Sequence, residues 1–431
     1  MVSEQVVRIG MLGCGNVGAA VARLVHDHGD DIALRTGCRL EIARVAVRDV
    51  ARDRDVPLSP EVFTTDGASI VDDPDIDIVC ELLGGIEPAR ALILRAFANG
   101  RSVVTASKEL LANNGKELFD ASDAAGMDLA FEAAVAGGIP LIAPLKGSLA
   151  GERISRILGI VNGTTNYILT QMFEHGSAFD AALAEAQRLG YAEADPTADV
   201  DGFDAAAKCA ILASIAFNTR VVASDVYREG ITKIQAQDIA DAKRLGYTVK
   251  LLAIAELDDD EVSVRVHPAM VPESHPLASV RDAFNAVFVE GDRIGQLMFY
   301  GRGAGGDPTA VAVVGDLAQV ARNRVAGTRG IGCTCVYERR IRPMDDTHGQ
   351  FYLNLHVEDG PGVLAEIADH FGRNGVSIER VWQEGSGDEA TLVFITHRTQ
   401  ESAFQKTLQQ LRDLPVVRAI SSVLRVEGEE G

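Results

Sequence analysis

Between Val6 and about Ala143, short apolar runs alternate with stretches of helical periodicity. VVRIGMLG leads into a helix from about Val17, followed by LEIARVAV, DIDIVCELLG, the helix of EPARALILRAFANG, and RSVVTAS. Such alternation predicts βαβ units and a parallel sheet covered by helices. The punctuation agrees, since Pro88 stands at a predicted helix start and Gly100 just past its end. From 144 to 320 strand and helix signals stay mixed, but a long insertion with glycines and acidic clusters replaces the regular series, which predicts an α+β unit. Its last part, GDLAQVARNRVAG, reads as a helix that packs back on the first unit. After the polar stretch ERRIRPMDDTHGQ the pattern changes again. FYLNLHV, a turn at DGPG, a helix through LAEIADHFGRNG, VSIERVWQE, ATLVFITH, a helix through AFQKTLQQL, and VVRAISSVLRV follow in the order βαββαβ. The predicted division is therefore 1–143 with a return segment at about 305–330, then 144–320, a linker over 321–347, and 348–431.

A length of 431 residues agrees with about three domains. The composition, 47% hydrophobic but only 5% aromatic, is that of helix-covered sheets rather than of a disordered chain. With 41 Lys and Arg against 62 Asp and Glu, the net charge of −21 repels phosphate backbones and anionic membrane surfaces, so neither is an expected partner. The six cysteines, Cys14, Cys38, Cys80, Cys209, Cys333 and Cys335, form no CxxC pair and no zinc spacing, and read as ordinary reduced thiols. No basic segment with a long apolar run opens the chain, and no later stretch reaches about 18 unbroken apolar residues, so a cytoplasmic location is expected.

Candidate chemistry begins at GCGNVG, directly after the first strand and before a helix. Gly13 permits the tight turn, Gly15 lets backbone approach a pyrophosphate and Gly18 allows close helix packing, with Asn16 and Val17 at the helix's positive end. The first unit is thus expected to be a doubly wound, Rossmann-type sheet that binds a dinucleotide. At the end of the second strand stand Val47, Arg48 and Asp49. An acid there suits the ribose hydroxyls of NAD and an arginine the 2′-phosphate of NADP, so both stay open, with NADP slightly favoured. Lys108 stands just past a predicted strand end, at the edge where such sheets bind ligands; it either meets the cofactor or the reacting oxygen, or simply begins a helix facing water.

LGIVNGTTNYILTQM reads as a strand, a turn and a helix whose free N–H groups near Gly163, Thr164 and Thr165 suit a carboxylate. A plain Thr-capped helix is the alternative. The most informative stretch is LGYAEADPTADVDGFDAAAKCAILASIAF. It gathers Glu193, Asp195, Asp199, Asp201 and Asp204, and sets Lys208 four residues after Asp204 on the same helix face. Ile211, Leu212 and Ile215 continue the side of the helix that bears Lys208, so this lysine lies on an apolar stripe, which suits a tuned acid or base. Cys209, inside the same apolar helix, is a poor nucleophile.

Taken in order, GCGNVG, VVTASKELLA, FEAAVAGGIP, IVNGTTNYIL, LGYAEADPTADVDGFDAAAK and GRGAGGDPTA resemble the homoserine dehydrogenases over roughly residues 6–325, and VEDGPGVLAEIADHFGRNGVSIERVWQEG resembles an ACT domain. The resemblance implies an N-terminal Rossmann domain, a central α+β catalytic and dimerisation domain, and a C-terminal ferredoxin-like ACT domain. It implies NAD(P)-linked interconversion of L-homoserine and L-aspartate 4-semialdehyde, on the route to threonine and methionine, with Lys208 and Lys108 at the reacting centre. Glu193, Asp204, Asp199 and Thr164 are then substrate-binding. Gly13, Gly15, Asn16, Val17, Gly18, Arg48, Thr105, Lys108, Gly190 and Gly305 meet the cofactor. A structural monovalent cation, usually sodium, is implied near Glu132, Val135, Gly137 and Ile139. Threonine is the implied effector of the ACT domain, and a homodimer or homotetramer the implied assembly. Ser107 departs from the family, which more often has Asn before the lysine, and Glu109 adds a charge unusual there.

Overall fold

The computed structural model describes residues 5–386 and 389–428. In the first third of the chain six strands, β1 (Gln5–Leu12), β2 (Cys38–Ala46), β3 (Phe63–Thr64), β4 (Ile78–Glu81), β5 (Ser102–Thr105) and β6 (Leu129–Ala130), are all parallel and lie in the order β3-β2-β1-β4-β5-β6. Helices α1 (Asn16–Asp27), α2 (Gly29–Thr36), α3 (Gly67–Val71), α4 (Ala89–Ala98) and α5 (Lys108–Ala125) cross between them. Ile9, Met11, Ile78, Val79, Val103 and Val104 are all fully buried, as a sheet covered on both faces requires. The strand order reverses between β1 and β4, and the crevice beyond the carboxyl ends of those two strands is where sheets of this kind take their ligands.

The middle of the chain builds a second sheet. Helices α6 (Gly163–His175), α7 (Phe179–Arg188), α8 (Thr197–Val200), α9 (Phe203–Ala216) and α10 (Ala236–Arg244) accompany β7 (Ile154–Ile160), β8 (Tyr227–Arg228), β9 (Tyr247–Asp258), β10 (Glu261–Pro272), β11 (Phe284–Gly291) and β12 (Gly295–Arg302). The long strands run β12-β11-β7-β9-β10, antiparallel throughout, and β8 pairs with β10. α9 is apolar nearly all round, Ala205, Ala206, Cys209, Ala210, Leu212 and Ala213 being buried, because it is wedged between this sheet and α5. α11 (Gly306–Ala326) then returns to the first domain: Ala310, Val313, Leu317 and Ala321 enter the core built by α1 and β1. It runs on to Ala326, into the span expected to be linker.

The C-terminal unit comprises β13 (His348–Glu358), α12 (Val363–Arg373), β14 (Ile378–Ser386), β15 (Glu389–Thr396), β16 (Thr399–Gln400), α13 (Glu401–Arg412) and β17 (Val417–Val426), with strand order β17-β13-β15-β14. This is the ferredoxin-like arrangement that the βαββαβ pattern predicts. Its attachment was not predictable. β17 pairs in parallel with β10 at Ala269–Arg425 and Met270–Val426, so the two sheets are continuous. Glu427 sits beside that seam, where Arg265 Nη2 reaches it at 3.0 Å and Arg156 also pairs with it; Glu256 closes the cluster, 2.6 Å from Arg265 and 2.8 Å from Arg156. Arg265 is only 3% exposed. Two guanidinium groups buried with two carboxylates are mutually neutral, but each would be costly without its partners. Among the described residues no helix is long and apolar enough to cross a membrane.

Candidate active site

The glycine-rich turn after β1 has the geometry its sequence demands. Gly13 adopts φ of 100°, and a Cβ there would stand 2.7 Å from Leu82 O; one on Gly18 would stand 2.6 Å from Gly13 O. A Cβ on Gly15 would meet nothing within 4 Å. Two glycines therefore serve packing, and the third leaves open the space that a pyrophosphate would occupy at the start of α1. Asn16 is exposed and Val17 half-buried at that helix start. Gly306 approaches the same turn, 3.2 Å from Asn16 O to its would-be Cβ, and Gly305 beside it takes φ of 122°. The residues present thus fit a dinucleotide.

Two neighbours of this crevice escaped the sequence reading. Glu81, fully buried at the end of β4, accepts hydrogen bonds from the Thr105 hydroxyl and from Leu83 N at 2.7 Å, tying the ends of β4 and β5 together. Arg54 follows the exposed Arg48 in the loop after β2, and its guanidinium donates to Asp49 O at 2.6 Å, shaping that loop. The alternation of a buried strand with one acid, and the third arginine in VRDVARDRD, were the only available signals.

Lys108 opens α5, but its ammonium does not face water as a plain helix start would. It contacts Asp204 Oδ1, a residue of the second domain 96 positions away. Asp204 Oδ2 in turn accepts from Lys208 Nζ at 2.7 Å, and Lys208 also donates to Val161 O at 2.7 Å. Side-chain exposure falls from 37% at Lys108 to 11% at Lys208 and 5% at Asp204. Burial alone would raise the Asp204 carboxyl, but the Lys208 and Lys108 charges outweigh it and hold it well below the ordinary carboxylate range. For Lys108, burial pulls downward and Asp204 more than compensates, leaving it raised.

Asn162, which the sequence reading passed over, is the third group on Asp204. Its Oδ1 accepts from Thr165 N at 2.9 Å, so Asn162, not a threonine, caps α6. With the oxygen so engaged, Nδ2 is the atom left to donate, and it bridges Asp199 Oδ1 at 2.7 Å and Asp204 Oδ2 at 2.9 Å. Thr164 Oγ1 donates to Tyr191 O at 2.6 Å, which draws the turn at Gly190 (φ 77°) against the start of α6. Glu193 and Asp195 are exposed on the next loop; Asp195 accepts from Thr197 N at 3.1 Å just before α8, and Asp201 offers its backbone oxygen to Arg228. Of the five acids in this stretch, then, the Asp204 carboxylate meets both lysines and Asp199 joins it through Asn162, whereas the Asp195 carboxylate serves the local turn at Thr197.

The Glu132 region folds as a buried turn with φ of 54° at Ala136 and 21° at Gly137. Val135, Gly137 and Ile139 are buried there, and Gly137 packs against Gly303 and Thr309. The Glu132 carboxylate is consumed by three backbone donors, Leu141 N, Ile142 N and Ala143 N, the last two at 2.6 and 2.8 Å. Oε2 keeps one acceptor position, so backbone oxygens would supply most of the donors to a monovalent cation. Cys209 is fully buried, its Sγ against Ile254 O, and burial pushes its thiol up to about 12, so it is no nucleophile.

Comparison with known proteins finds the chain similar to one family over nearly its whole length. The homoserine dehydrogenase family model matches residues 140–318, that of the homoserine dehydrogenase NAD binding domain residues 13–132, and that of the ACT domain residues 351–416. Homoserine dehydrogenase of Mycobacterium tuberculosis is 51% identical over 436 residues, covering 99% of this chain and 98% of its own. The crystal structure of a homoserine dehydrogenase from Thiobacillus denitrificans superposes with a TM-score of 0.93 at 39% identity, over 99% of this chain and all of that one. A hyperthermophilic archaeal homoserine dehydrogenase mutant in complex with NADPH matches 73% of this chain and 98% of its own at 27% identity, with a TM-score of 0.61.

Proposed function

The chain belongs to the homoserine dehydrogenase family, NAD(P)-dependent oxidoreductases, here with an ACT regulatory domain, and we propose that Lys208 is the proton donor and acceptor of its reaction. The substrate pair is L-homoserine and L-aspartate 4-semialdehyde. When bound, the nicotinamide supplies the hydride chemistry, and the protein's own task is orientation and proton management. Lys208 takes the hydroxyl proton as the alcohol is oxidised and returns it to the developing alkoxide in reduction, while the Lys108 charge stabilises that oxygen. Asp204 and Asp199, with Glu193 at the rim, take the substrate ammonium; Thr164 and the start of α6 take its carboxylate.

One observation carries this reading: two lysines from different domains meet on a single buried carboxylate at the carboxyl edge of the parallel sheet. Gly13, Gly15, Asn16, Val17, Gly18, Thr105, Gly190 and Gly305 line the path of the dinucleotide. Arg48, with arginines at 52 and 54, favours NADP over NAD, in keeping with the NADPH held by the archaeal relative. A sodium ion would be held by backbone oxygens of the turn at Glu132, Val135, Gly137 and Ile139, and would order that turn without entering the chemistry. The ACT domain binds an amino acid, with threonine the expected effector, in a cytoplasmic homodimer or homotetramer.

The test is Lys208→Ala in an assay of NADPH oxidation with aspartate semialdehyde. Turnover should fall by about 10² or more, the usual worth of a positioned acid or base, with cofactor affinity within about two-fold of the parent. Near-normal turnover would remove Lys208 from this role. Repeating the parent assay with threonine tests the effector, and a rate indifferent to threonine at millimolar concentration would dismiss it.

A further inference from the structure

Four of the six cysteines are buried, but Cys333 and Cys335 are half-buried and line one cavity of about 260 Å³ between α5, α9 and the segment that follows α11. That segment folds tightly here: Val336 N donates to Thr334 O at 2.8 Å, a three-residue turn centred on Cys335. Cys335 Sγ lies 3.8 Å from the Ser214 carbonyl of α9. The rest of the wall is apolar, with Asn113, Ser214 and Thr334 as neutral polar groups and Lys116, Lys146 and Arg220 as cations, Lys116 and Arg220 both paired with Asp120. Lys146 donates to Ile331 O at 2.7 Å, stands 5.5 Å over the Phe131 ring, and has no carboxylate partner among the described residues; Arg220 also lines the cavity.

A partly exposed thiol beside cations is the setting of reactive cysteines, in contrast to Cys209, which burial makes inert. The two thiols stand one residue apart and line the same cavity. Cys335 pulls the neighbouring Cys333 thiol below its ordinary value, and Cys333 in turn raises Cys335.

We propose that Cys333 and Cys335 form a redox-active dithiol, with Cys333 as attacking thiol and Cys335 as resolving thiol. With a hydroperoxide as oxidant, the Cys333 thiolate attacks the terminal oxygen; the O–O bond breaks, the alcohol or water leaves, and Cys333 becomes a sulfenic acid. Cys335 then attacks that sulfur, its proton leaves with the hydroxyl as water, and an S–S bond closes. The pair loses two electrons and two protons, and the hydroperoxide gains both. A bridge across a single intervening residue is strained, which makes it readily reducible and so reversible.

The experiment treats the full-length protein with a small excess of hydrogen peroxide, then alkylates it in denaturant and measures intact and peptide masses. The expected product has four alkylated cysteines and a 333–335 peptide lighter by two hydrogens, restored by dithiothreitol. Cys335→Ser should stop at a sulfenic acid on Cys333 that reacts with a 1,3-diketone probe, and Cys333→Ser should resist oxidation at least about ten-fold longer. Thermal melts confirm that both variants fold. Six alkylated cysteines after peroxide, or a covalent dimer that persists in Cys333→Ser, would overturn the proposal, the first by showing no bridge and the second by showing an intersubunit one.

Discussion

Asp204→Asn puts the greatest strain on the proposed site. Three donors converge on this carboxylate, the ammonium groups of Lys108 and Lys208 and the amide of Asn162. An asparagine of the same shape offers one oxygen and turns an N–H₂ group toward the remaining donors. Two unit charges 2.7 Å apart attract by about 6 kcal/mol at an effective dielectric constant of about 20, an upper figure for the Lys208 pair because the Asp204 carboxylate must first be desolvated. The Lys108 share is smaller, since 37% of that side chain is exposed and solvent screens it. A net loss of about 3 kcal/mol of folding stability and a fall of about 10² to 10⁴ in kcat/KM follow.

The pH dependence carries a definite sign. Because the folded carboxyl lies below its unfolded value of about 4, its contribution is fully present above about pH 4 and disappears as pH falls through the folded value. The stability gap between parent and variant should therefore narrow only on acidification below about pH 4. Removing Asp204 also removes what raises Lys108, so the alkaline limb of the rate profile should move to lower pH. Initial rates of NADPH oxidation across the pH range, with urea unfolding, measure all four effects. A kcat/KM within two-fold of the parent and an unmoved alkaline limb would refute the site as drawn.

Asn162→Ser keeps a good helix cap but cannot bridge both acids, so unfolding stability should stay within about 1 kcal/mol while KM for the amino-alcohol rises about ten-fold. A KM equal to the parent's would leave Asn162 as a cap alone. Glu427→Gln deprives Arg265 and Arg156 of a buried partner and should cost about 3 kcal/mol in urea unfolding; unchanged stability would mean the C-terminal seam contributes little. Asp316, which accepts from Glu132 N at 2.8 Å, is pushed up to about 7 chiefly by burial, so it binds protons more tightly folded than unfolded and weakens the fold as pH rises from about 4 to about 7. Asp316→Asn should thus raise Tm more at pH 8 than at pH 5, and a pH-independent difference would contradict that assignment.

Relations within a few residues were legible in the chain itself. The GCGNVG turn, the βαβ order, the βαββαβ tail and the pairing of Asp204 with Lys208 across one helical turn all follow from periods of two and 3.6 residues and from the conformations that glycine permits. Which polar residue of Asn162, Thr164 and Thr165 caps α6 did not follow, because asparagine and threonine are both good caps and the choice falls to what Asp199 and Asp204 require. The meeting of Lys108 with Asp204, the Glu81–Thr105 tie, the placing of Glu427 among the catalytic domain's arginines and the shared cavity of Cys333 and Cys335 were decided by tertiary structure alone. Each joins groups brought close by how helices and sheets stack, or by how an irregular segment lies across them, and hydrophobic periodicity states only which face is buried, never which distant face it is buried against.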